Sequence, residues 1–354
     1  MKTFSISVPV GAWHDLLPTC LASLEAQGEG VRVSFLDASG DPRVEALADR
    51  FDHFFAYRRH GPDGGQSSAI VEGWSHAEGD ILGWLNADDF LFPNAIAKAR
   101  AVFESVPAVD VVSGNSAICD EQGRMTGYHW AVAPPGENLR AGCVISQPSC
   151  FFRREAYESA GGLNQDLHYT MDWDLWLRLL QGGAKFQFLD EVLSVVYWGQ
   201  GTKTLGLSAL RRRELFRLID THTPPRLRFK AKRGFVLRAI LDEFRPASIS
   251  MLAEERLRRK TPYVYGVGPR GILDANVRII WARFSADSSS RLQIEIEGDA
   301  SFDAPFVRPD AKVTRRNSSL ILDFVETPPE GAVVEAHLRR REQGRARLLK
   351  CSWL

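Results

Sequence analysis

The 354-residue chain has no net charge, no long apolar run and no cysteine pairing pattern. Its 44 Lys and Arg balance its 44 Asp and Glu, so it is neither a uniformly basic nor a uniformly acidic protein. Its apolar runs fall far short of the roughly 18 residues that a membrane-spanning helix needs. The cysteines are odd in number and form no Cys-x-x-Cys pair, which argues against a disulfide framework and against a zinc cluster. They are Cys20, Cys119, Cys143, Cys150 and Cys351.

The N-terminus also lacks the long apolar region and cleavage site of a secretory signal peptide, so we expect a cytoplasmic protein. Charged residues make up 25% and hydrophobic residues 44% of the chain. These fractions are typical of a globular protein and exclude collagen, coiled coil and wholesale disorder. The length predicts about two domains.

The zero charge conceals two oppositely charged halves. Residues 1–209 carry 15 basic and 26 acidic residues, whereas residues 210–354 carry 29 and 18, giving net charges of −11 and +11. The steepest change lies in 210–238, with ten basic residues against Glu214 and Asp220. So sharp a charge step predicts a domain boundary near 205–210.

Strand and helix signals alternate along the first half. Short β-branched or apolar runs such as Val31–Leu36 and Ile81–Leu85 predict strands, and Gln66–Ala77 and Trp173–Gln181 have helical spacing. Repeated β–α units predict an α/β fold with a mostly parallel sheet and helices on both faces. Ligands of such sheets bind beyond the carboxyl ends of the strands.

The second half has a different pattern. Residues 208–219 and 232–259 have helical spacing, and four later runs predict strands of a small antiparallel unit: Val277–Ser285, Arg291–Glu297, Ser319–Val325 and Ala332–Leu338. We therefore predict a first domain over 1–207, a basic helical segment over 208–260 and a small β-rich domain over 261–354. A carbohydrate-binding module and a dimerisation unit are both open for that last domain.

Two adjacent carboxylates, Asp88 and Asp89, directly follow the apolar strand that ends at Leu85. Like charges so placed are best tolerated when a hard divalent cation lies between them and a bound phosphate. The alternative is structural, with Asp89 capping the next helix or Asp88 forming a turn. Taken alone, the pair favours the structural alternative.

Several motifs in order give this turn its context: an opening strand ending at Val8-Pro9, the acidic turn Asp37–Asp41, Pro62–Ile70, Asn86-Ala87-Asp88-Asp89, Gln147–Arg154 with Gly161-Gly162-Leu163, and His168–Arg178. Together they resemble family 2 glycosyltransferases of the GT-A fold over about residues 3–205. The resemblance implies that a sugar moves from a nucleotide diphosphate sugar, with inversion at the anomeric carbon. It assigns the nucleotide sugar to Pro9, Asp37, Asp63, Gln66 and Asp88, and Mg²⁺ or Mn²⁺ to Asp89.

The catalytic base implied by the resemblance is Asp172, at the start of a predicted helix. An inverting transfer needs one base beside the acceptor hydroxyl. The family usually has Glu-Asp-x-Asp here, and Met171 replaces that Glu. The alternative is that Asp172 caps the helix and complements its dipole.

The chain departs from the family pattern at two places. The stretch Val196–Thr204 lacks the His that ligates the metal in many relatives, which leaves Lys203 as a substitute charge or as an ordinary surface residue. Gly64 stands where close relatives often carry Arg. His168, Tyr169 and Trp173 are candidate acceptor contacts, although a lone His in such a loop is more often structural.

Basic and apolar residues alternate over 208–240, a pattern that suits an anionic membrane surface. A solvated helix face and a face paired with the acidic half are the alternatives, and nucleic acid is disfavoured because no reader motif is present. The sequence thus predicts a cytoplasmic enzyme, peripheral at the inner membrane, that uses a UDP-sugar and a saccharide or lipid-linked acceptor in bacterial surface polysaccharide synthesis. A catalytically silent nucleotide-sugar-binding scaffold is the main alternative. A nucleotidyltransferase is a weaker one, since Val8–Trp13 is not a phosphate loop.

Overall fold

The computed structural model describes residues 1–119, 125–129, 135–199, 201–203, 207–244, 276–282, 290–298, 301–316, 319–328, 333–341 and 344–353. Residues 245–259 of the helix predicted over 232–259 lie outside these ranges, as do residues 283–285 and Ala332 at the ends of predicted strands, and Gln200 and Thr204. The chain divides into two compact units, Met1–Phe244 and Arg245–Leu354.

The first unit is built on one large sheet. Its described strands are β1 (Phe4–Val10), β2 (Val31–Asp37), β3 (Phe55–His60), β4 (Ile81–Trp84), β5 (Phe90–Leu91), β6 (Val111–Cys119), β7 (Met125–His129), β8 (Cys150–Arg153) and β9 (Phe186–Tyr197). They form a nine-stranded sheet in the order β3-β2-β1-β4-β8-β6-β9-β5, with β7 beside β6. The order places β1 and β4 centrally, which accounts for the complete burial of both strands.

The pairing is parallel from β3 to β4 and between β6 and β9, but antiparallel where β8 meets β4 and β6. The α/β class predicted from the sequence is confirmed, and the sheet is mixed. Alternating β–α signals detect parallel neighbours joined by a crossover helix. Because β8 pairs antiparallel with both β4 and β6, the alternation of strand and helix signals does not predict it.

Helices cover both faces of the sheet. They are α1 (Leu17–Glu25), α2 (Pro42–Arg50), α3 (Gln66–His76), α4 (Ala95–Ser105), α5 (Gly136–Ala141), α6 (Arg154–Ser159), α7 (Met171–Gln181), α8 (Ala209–His222) and α9 (Pro225–Phe244), with single-turn 3-10 helices at Asp52–Phe54 and Gln147–Ser149. Apolar residues of α1, α2 and α4 share one core cluster, and those of α3, α7 and α8 share a second. The sheet therefore separates two cores, as the β–α alternation predicts.

Local sequence explains the start of several helices. Pro42 opens α2, and Asp41 caps it by accepting a hydrogen bond from the Arg43 amide at 2.9 Å. Ser208 caps α8 in the same way through the Arg211 amide. Pro225 begins α9 seven residues before the start predicted from helical spacing. Pro at a first helical position is the signal for that earlier start.

The basic segment has an inner and an outer face. Glu214, Leu215, Leu218 and Ile219 of α8 are buried, and Ala231 of α9 packs in the same core cluster as α7. The buried side chains of α8 and α9 thus pack into the core of the first unit, to which residues 208–244 belong. The predicted domain boundaries at 207 and 260 stay predictions.

The second unit contains two small antiparallel sheets, as the polar-turn pattern predicts. The described strands are β10 (Asn276–Ala282), β11 (Arg291–Gly298), β12 (Phe302–Arg308), β13 (Ala311–Arg316), β14 (Ser319–Phe324), β15 (Val333–Arg340) and β16 (Ala346–Trp353). The sheets have the orders β10-β15-β12 and β13-β14-β11-β16, and Leu292, Ile294, Leu322 and Leu338 are core residues of this unit. Among the described residues, no helix is long and apolar enough to cross a membrane.

Candidate active site

The acidic turn lies at the carboxyl end of β4, where the chain leaves the centre of the sheet. The Leu85 amide still donates to Ser7 O of β1, and the Asp89 amide then donates back to Asn86 O at 3.1 Å, closing the turn. Phe90 and Leu91 rejoin the sheet immediately as β5. Pairing on both sides of the turn thus fixes where Asp88 and Asp89 stand.

Asp89 is 3% exposed, and both of its carboxylate oxygens accept hydrogen bonds. Oδ1 accepts from the Tyr197 amide at 3.1 Å and Oδ2 from the Asn86 side chain at 3.1 Å. Burial raises the pKa of Asp89 well above its ordinary value, and the neighbouring charge of Asp88 raises it further. Burial also raises the pKa of Asp88, against the opposing effect of His14. Two ionised carboxylates are therefore costly here, and a cation would lower that cost.

This pair fits a divalent cation. Hydrogen bonds to Asp89 leave lone pairs on its oxygens, and hard cations prefer carboxylate oxygen. Among the described residues, no group of three His, Cys, Asp or Glu side chains could hold a metal. Asp89 with Asp88 would therefore hold a cation whose remaining ligands are diphosphate and water, as Mg²⁺ sites on phosphates commonly have.

A chain of polar side chains extends from this turn. Asn86 Oδ1 accepts from Gln66 Nε2 at 2.8 Å, and Lys203 Nζ donates to Gln66 Oε1 at 2.8 Å. In the other direction, Asn86 Nδ2 donates to Gln147 Oε1 at 3.3 Å, and Gln147 Nε2 donates to Trp84 O at 2.8 Å. The predicted residues Gln66 and Lys203 thus contact each other directly, and Asn86, to which the sequence assigned no role of its own, connects Gln66 to the acidic turn.

The predicted nucleobase residues lie at the ends of β1 and β2. Pro9 is buried and pairs in register with Leu36. Asp37 is 3% exposed and accepts from the Ser39 amide, the Ser39 hydroxyl and His60 Nδ1, at 2.8, 2.6 and 2.7 Å. Arg58 Nε donates to His60 Nε2, so that nitrogen is the acceptor of the ring. In the neutral ring the proton is then on Nδ1, which donates to Asp37.

The loop that carries Asp63 is tied to the end of β2. The Gly61 amide donates to Asp37 O at 2.9 Å, and Asp63 Oδ1 accepts from the Gly65 amide at 2.7 Å. Gly65 has a φ of 102°, a conformation that side-chain-bearing residues rarely adopt. Asp37 and Asp63 are therefore joined by one short backbone connection.

Asp172 lies in the first turn of α7, one residue inside the helix. Its Oδ1 accepts from the Trp173 amide at 2.7 Å, and the Cys143 thiol donates to its Oδ2 at 3.9 Å. Burial raises the pKa of Asp172 to about 6. Hydrogen bonds from the backbone amides of Trp173 and of Asp172 itself oppose this rise, as do the charges of Arg211 and Lys203. Asp172 can therefore contact the start of α7 and still have a pKa that suits a general base.

The acceptor candidates separate into two environments. Trp173 is 1% exposed, donates its indole N–H to Leu139 O at 2.7 Å and packs against Phe235, so its ring is part of the core. His168 is exposed, with its ring 4.8 Å from that of Tyr169. Partial burial and the charge of Lys203 lower the pKa of His168. Lys203 Nζ lies 5.6 Å from the Tyr169 ring, so Lys203 connects the residues before Asp172 with Gln66.

Sequence reasoning missed several residues around the site: Asn86, Gln147, His60, Cys143, Arg211 and Glu214. Asn86 and Gln147 lie inside motifs that indicate the family, so their position was the available signal. His60, Cys143 and Glu214 act on site residues at least 23 positions away through contacts that only the fold creates.

The sheet order, the helices on both faces and the acidic turn after β4 agree with the α/β fold that the resemblance drawn from the motifs implies. Residues 5–160 match the family model described as glycosyl transferase family 2. The resemblance to family 2 glycosyltransferases that was drawn from the motifs is therefore confirmed over these residues.

Curated relatives are similar over part of the chain. An uncharacterized glycosyltransferase of Mycobacterium tuberculosis is 28% identical over 187 residues, covering 49% of this chain and 68% of its own length. One from Rickettsia felis is 26% identical over 161 residues, and the match covers 41% of this chain and about a quarter of that relative. The chondroitin synthase of Pasteurella multocida is 26% identical over 133 residues, covering 37% of this chain and 14% of the synthase.

Solved structures also resemble the chain at low identity. Staphylococcus aureus TarS 1–349 in complex with UDP-GlcNAc has 15% identity and a TM-score of 0.48, covering 72% of this chain and 77% of that one. The mannosyltransferase PcManGT from Pyrobaculum calidifontis, in complex with GDP-Man and Mn²⁺, has 16% identity and a TM-score of 0.47, covering 74% and 82%.

Proposed function

We propose that this chain is an inverting glycosyltransferase that moves a sugar from a nucleotide diphosphate sugar, UDP-linked, to a saccharide or lipid-linked acceptor. The observation that carries the proposal is the polar connection from the acidic turn to the loop before Asp172. Asn86 contacts both Asp89 and Gln66, and Lys203 connects Gln66 to Tyr169. This connection supports the proposal that the donor-binding and base candidates belong to one site.

In this proposal Pro9, Asp37 and Asp63 hold the nucleoside, and Asp88 and Gln66 contact the ribose or the sugar. A divalent cation at Asp89 would neutralise the charge that develops on the departing diphosphate. Asp172 takes the proton of the acceptor hydroxyl as that oxygen attacks the anomeric carbon from the face opposite the diphosphate. A pKa near 6 leaves Asp172 mostly ionised at neutral pH.

The product proposed is a bacterial surface or extracellular polysaccharide. Relatives from Pasteurella multocida are named chondroitin synthase and hyaluronan synthase, both of which are polysaccharide synthases by name. The catalytically silent scaffold is the alternative, and the raised pKa of Asp172 favours the enzyme because perturbed carboxyl groups concentrate at catalytic sites.

We also propose that α9 places the enzyme on an anionic membrane surface at the cytoplasmic side. Its exposed residues Arg226, Phe229, Lys230, Arg233 and Leu237 recur at helical spacing along one face. Phe229 is 78% exposed and Leu237 46%. Residues 225–237 contain no Asp or Glu. Cations beside exposed apolar side chains are the combination that binds anionic lipid surfaces.

Thermal shift with nucleoside diphosphates and their sugars tests the donor proposal. A ligand that binds only the folded state raises the melting temperature, by an amount that grows with its concentration over Kd. We expect one nucleoside diphosphate family to raise it, and Mn²⁺ to increase that rise. No shift with any nucleotide, with or without Mn²⁺, would contradict both the enzyme and the scaffold.

A further inference from the structure

Glu214 is a buried acidic residue in the most basic segment of the chain. It lies on α8 and is 6% exposed, although its helix neighbours Arg211, Arg212, Arg213 and Arg217 are all cationic. Neither the family motifs nor the proposed mechanism gives it a role. A buried carboxylate must be compensated by hydrogen bonds or charge, so its partners indicate what it does.

Four donors from three consecutive residues converge on this carboxylate. Oε1 accepts from the His168 amide at 2.9 Å. Oε2 accepts from the Tyr169 amide at 2.8 Å, and from the amide and hydroxyl of Thr170, each at 3.2 Å. We call Glu214 with these four donors the Glu214 clamp. Hydrogen bonds to an ionised acceptor are about twice as strong as those between neutral groups, so the clamp fixes the backbone of 168–170.

The clamped residues lead directly into the first turn of α7. Thr170 occupies the N-cap position, where a threonine hydroxyl ordinarily accepts from a helix amide, but here the hydroxyl donates to Glu214. The Trp173 amide donates instead to Asp172 Oδ1, at 2.7 Å. Asp172 therefore serves the helix start while Glu214 fixes the segment before it.

The structure assigns Glu214 as a positioning residue that sets the place of Asp172 at the start of α7, and so ties the basic helix α8 to the chemistry of the site. Arg211, one turn earlier on α8, acts electrostatically on Asp172. The charge of Lys203 also lowers the pKa of Asp172, and the charge of Glu214 in turn raises the pKa of Lys203 against the effect of burial. One helix thus both fixes the base-bearing turn and contributes to its charge environment.

This inference rests on the proposed function, because positioning Asp172 matters to catalysis only if Asp172 is the base. The clamp itself is measured by hydrogen–deuterium exchange, which needs no activity. In Glu214→Gln, the side chain keeps one carbonyl oxygen that can accept hydrogen bonds. Its other terminal group becomes an NH₂ donor, which cannot accept from the amides of 168–170. We expect the amides of 168–170 to exchange roughly tenfold faster, with the melting temperature reporting whether the chain stays folded.

Kinetics of the same variant test the positioning role. A displaced base lowers kcat and leaves donor binding intact, so we expect kcat to fall by about 10²-fold in Glu214→Ala and less in Glu214→Gln, with the donor KM unchanged. Thr170→Val removes only the side-chain donor and should give a smaller loss than either. Asp220→Asn is the control, since Asp220 is an exposed carboxylate of α8 paired with Lys232 and should exchange and turn over like the unchanged protein.

The outcomes separate the two claims. Faster exchange at 168–170 together with a selective loss of kcat supports the positioning role. Unchanged exchange in a folded Glu214→Gln protein, or faster exchange with unchanged kcat, overturns it. If the unchanged protein transfers no sugar from any donor, the proposed function fails, and the positioning role fails with it even where exchange confirms the clamp.

Discussion

The side-chain amide of Asn86 donates to Asp89 Oδ2 at 3.1 Å, while its carbonyl oxygen accepts from Gln66 at 2.8 Å. Asn86 thus orients a carboxylate whose ionised form is disfavoured by burial, and its hydrogen bond counteracts the rise in the pKa of Asp89. The amide stabilises the charged form that a cation and a diphosphate would need. In the proposed function, this relationship gives Asn86 a supporting role for the donor site.

Asn86→Ala should therefore weaken metal-dependent nucleotide binding. Asp89 would lose one donor, its pKa would rise further, and its carboxylate would be less well oriented. We expect the nucleoside diphosphate to bind about tenfold more weakly in the presence of Mn²⁺, as measured by titration calorimetry. Asn164→Ala, which removes only a turn contact with the Asp166 amide, should bind as the unchanged protein does. Equal affinity in both variants would contradict the role given to Asn86.

Asp172→Asn should make the protein more stable at neutral pH. The pKa of Asp172 is about 6 in the folded state against an ordinary value of 3.8, so the folded chain holds a proton that the unfolded chain has released between these values. The contribution of Asp172 to stability therefore falls as the pH rises from about 4 to about 6, and the Asn variant lacks this loss. We expect a gain on the order of 1–3 kcal/mol at pH 7.

Denaturant unfolding at pH 4 and at pH 7 measures this difference. The gain should be small at pH 4 and full at pH 7. Asp166→Asn, an exposed acid in the loop before α7, serves as the control and should show no such gain. A variant that is less stable than the unchanged protein at pH 7 would show that the Asp172 carboxylate contributes stability when ionised, against this account.

The pH dependence of transfer should have an acid limb set by Asp172. A general base acts only when it is ionised, so kcat/KM should rise with pH through about 6. Arg211 lowers the pKa of Asp172, and Arg211→Gln should move the limb to higher pH by some tenths of a unit. Arg212→Gln, at an exposed neighbouring position, should leave the limb in place. A limb that does not respond to Arg211→Gln would contradict the assignment of this limb to Asp172.

The outer face of α9 should bind anionic vesicles. Phe229→Ser combined with Lys230→Gln removes an exposed ring and a cation from that face, so co-sedimentation with phosphatidylglycerol vesicles should fall severalfold. Lys312→Gln, an exposed cation of the second unit, is the matched control. Binding by the unchanged protein should also weaken as salt rises. Equal binding to neutral and anionic vesicles would reject electrostatic docking.

Local sequence signals located the main elements of the site, but not their partners. The run Ile81–Leu85 predicted β4, and the Asp pair after it marked the turn, because a buried strand followed by charge is visible in the sequence. Predicted and observed bounds of α3 differ by one residue at the C-terminal end. Antiparallel β8 was missed because strand partners depend on tertiary packing. The early start of α9 was missed although Pro225 marks it locally, because helical spacing alone was used to place it.

Glu214 shows why the remaining site residues could not be read in the same way. In the sequence it is a lone acid among arginines, which indicates a solvated basic helix. In the fold it is buried against amides more than forty residues away. The pairing of Asp37 with His60 and of Asp172 with Cys143 has the same origin, since spacing carries no information on contacts between separate elements.

The central claim is that Asp172 acts as base in sugar transfer from a nucleotide sugar. The most direct measurement is release of nucleoside diphosphate from a panel of nucleotide sugars, with Mn²⁺ and a glycan acceptor mixture, by the unchanged protein and by Asp172→Asn. The account predicts acceptor-dependent release with one donor family and a loss of at least about 10²-fold in the variant, with donor binding retained. Equal release by both proteins, or none from any donor, would contradict it.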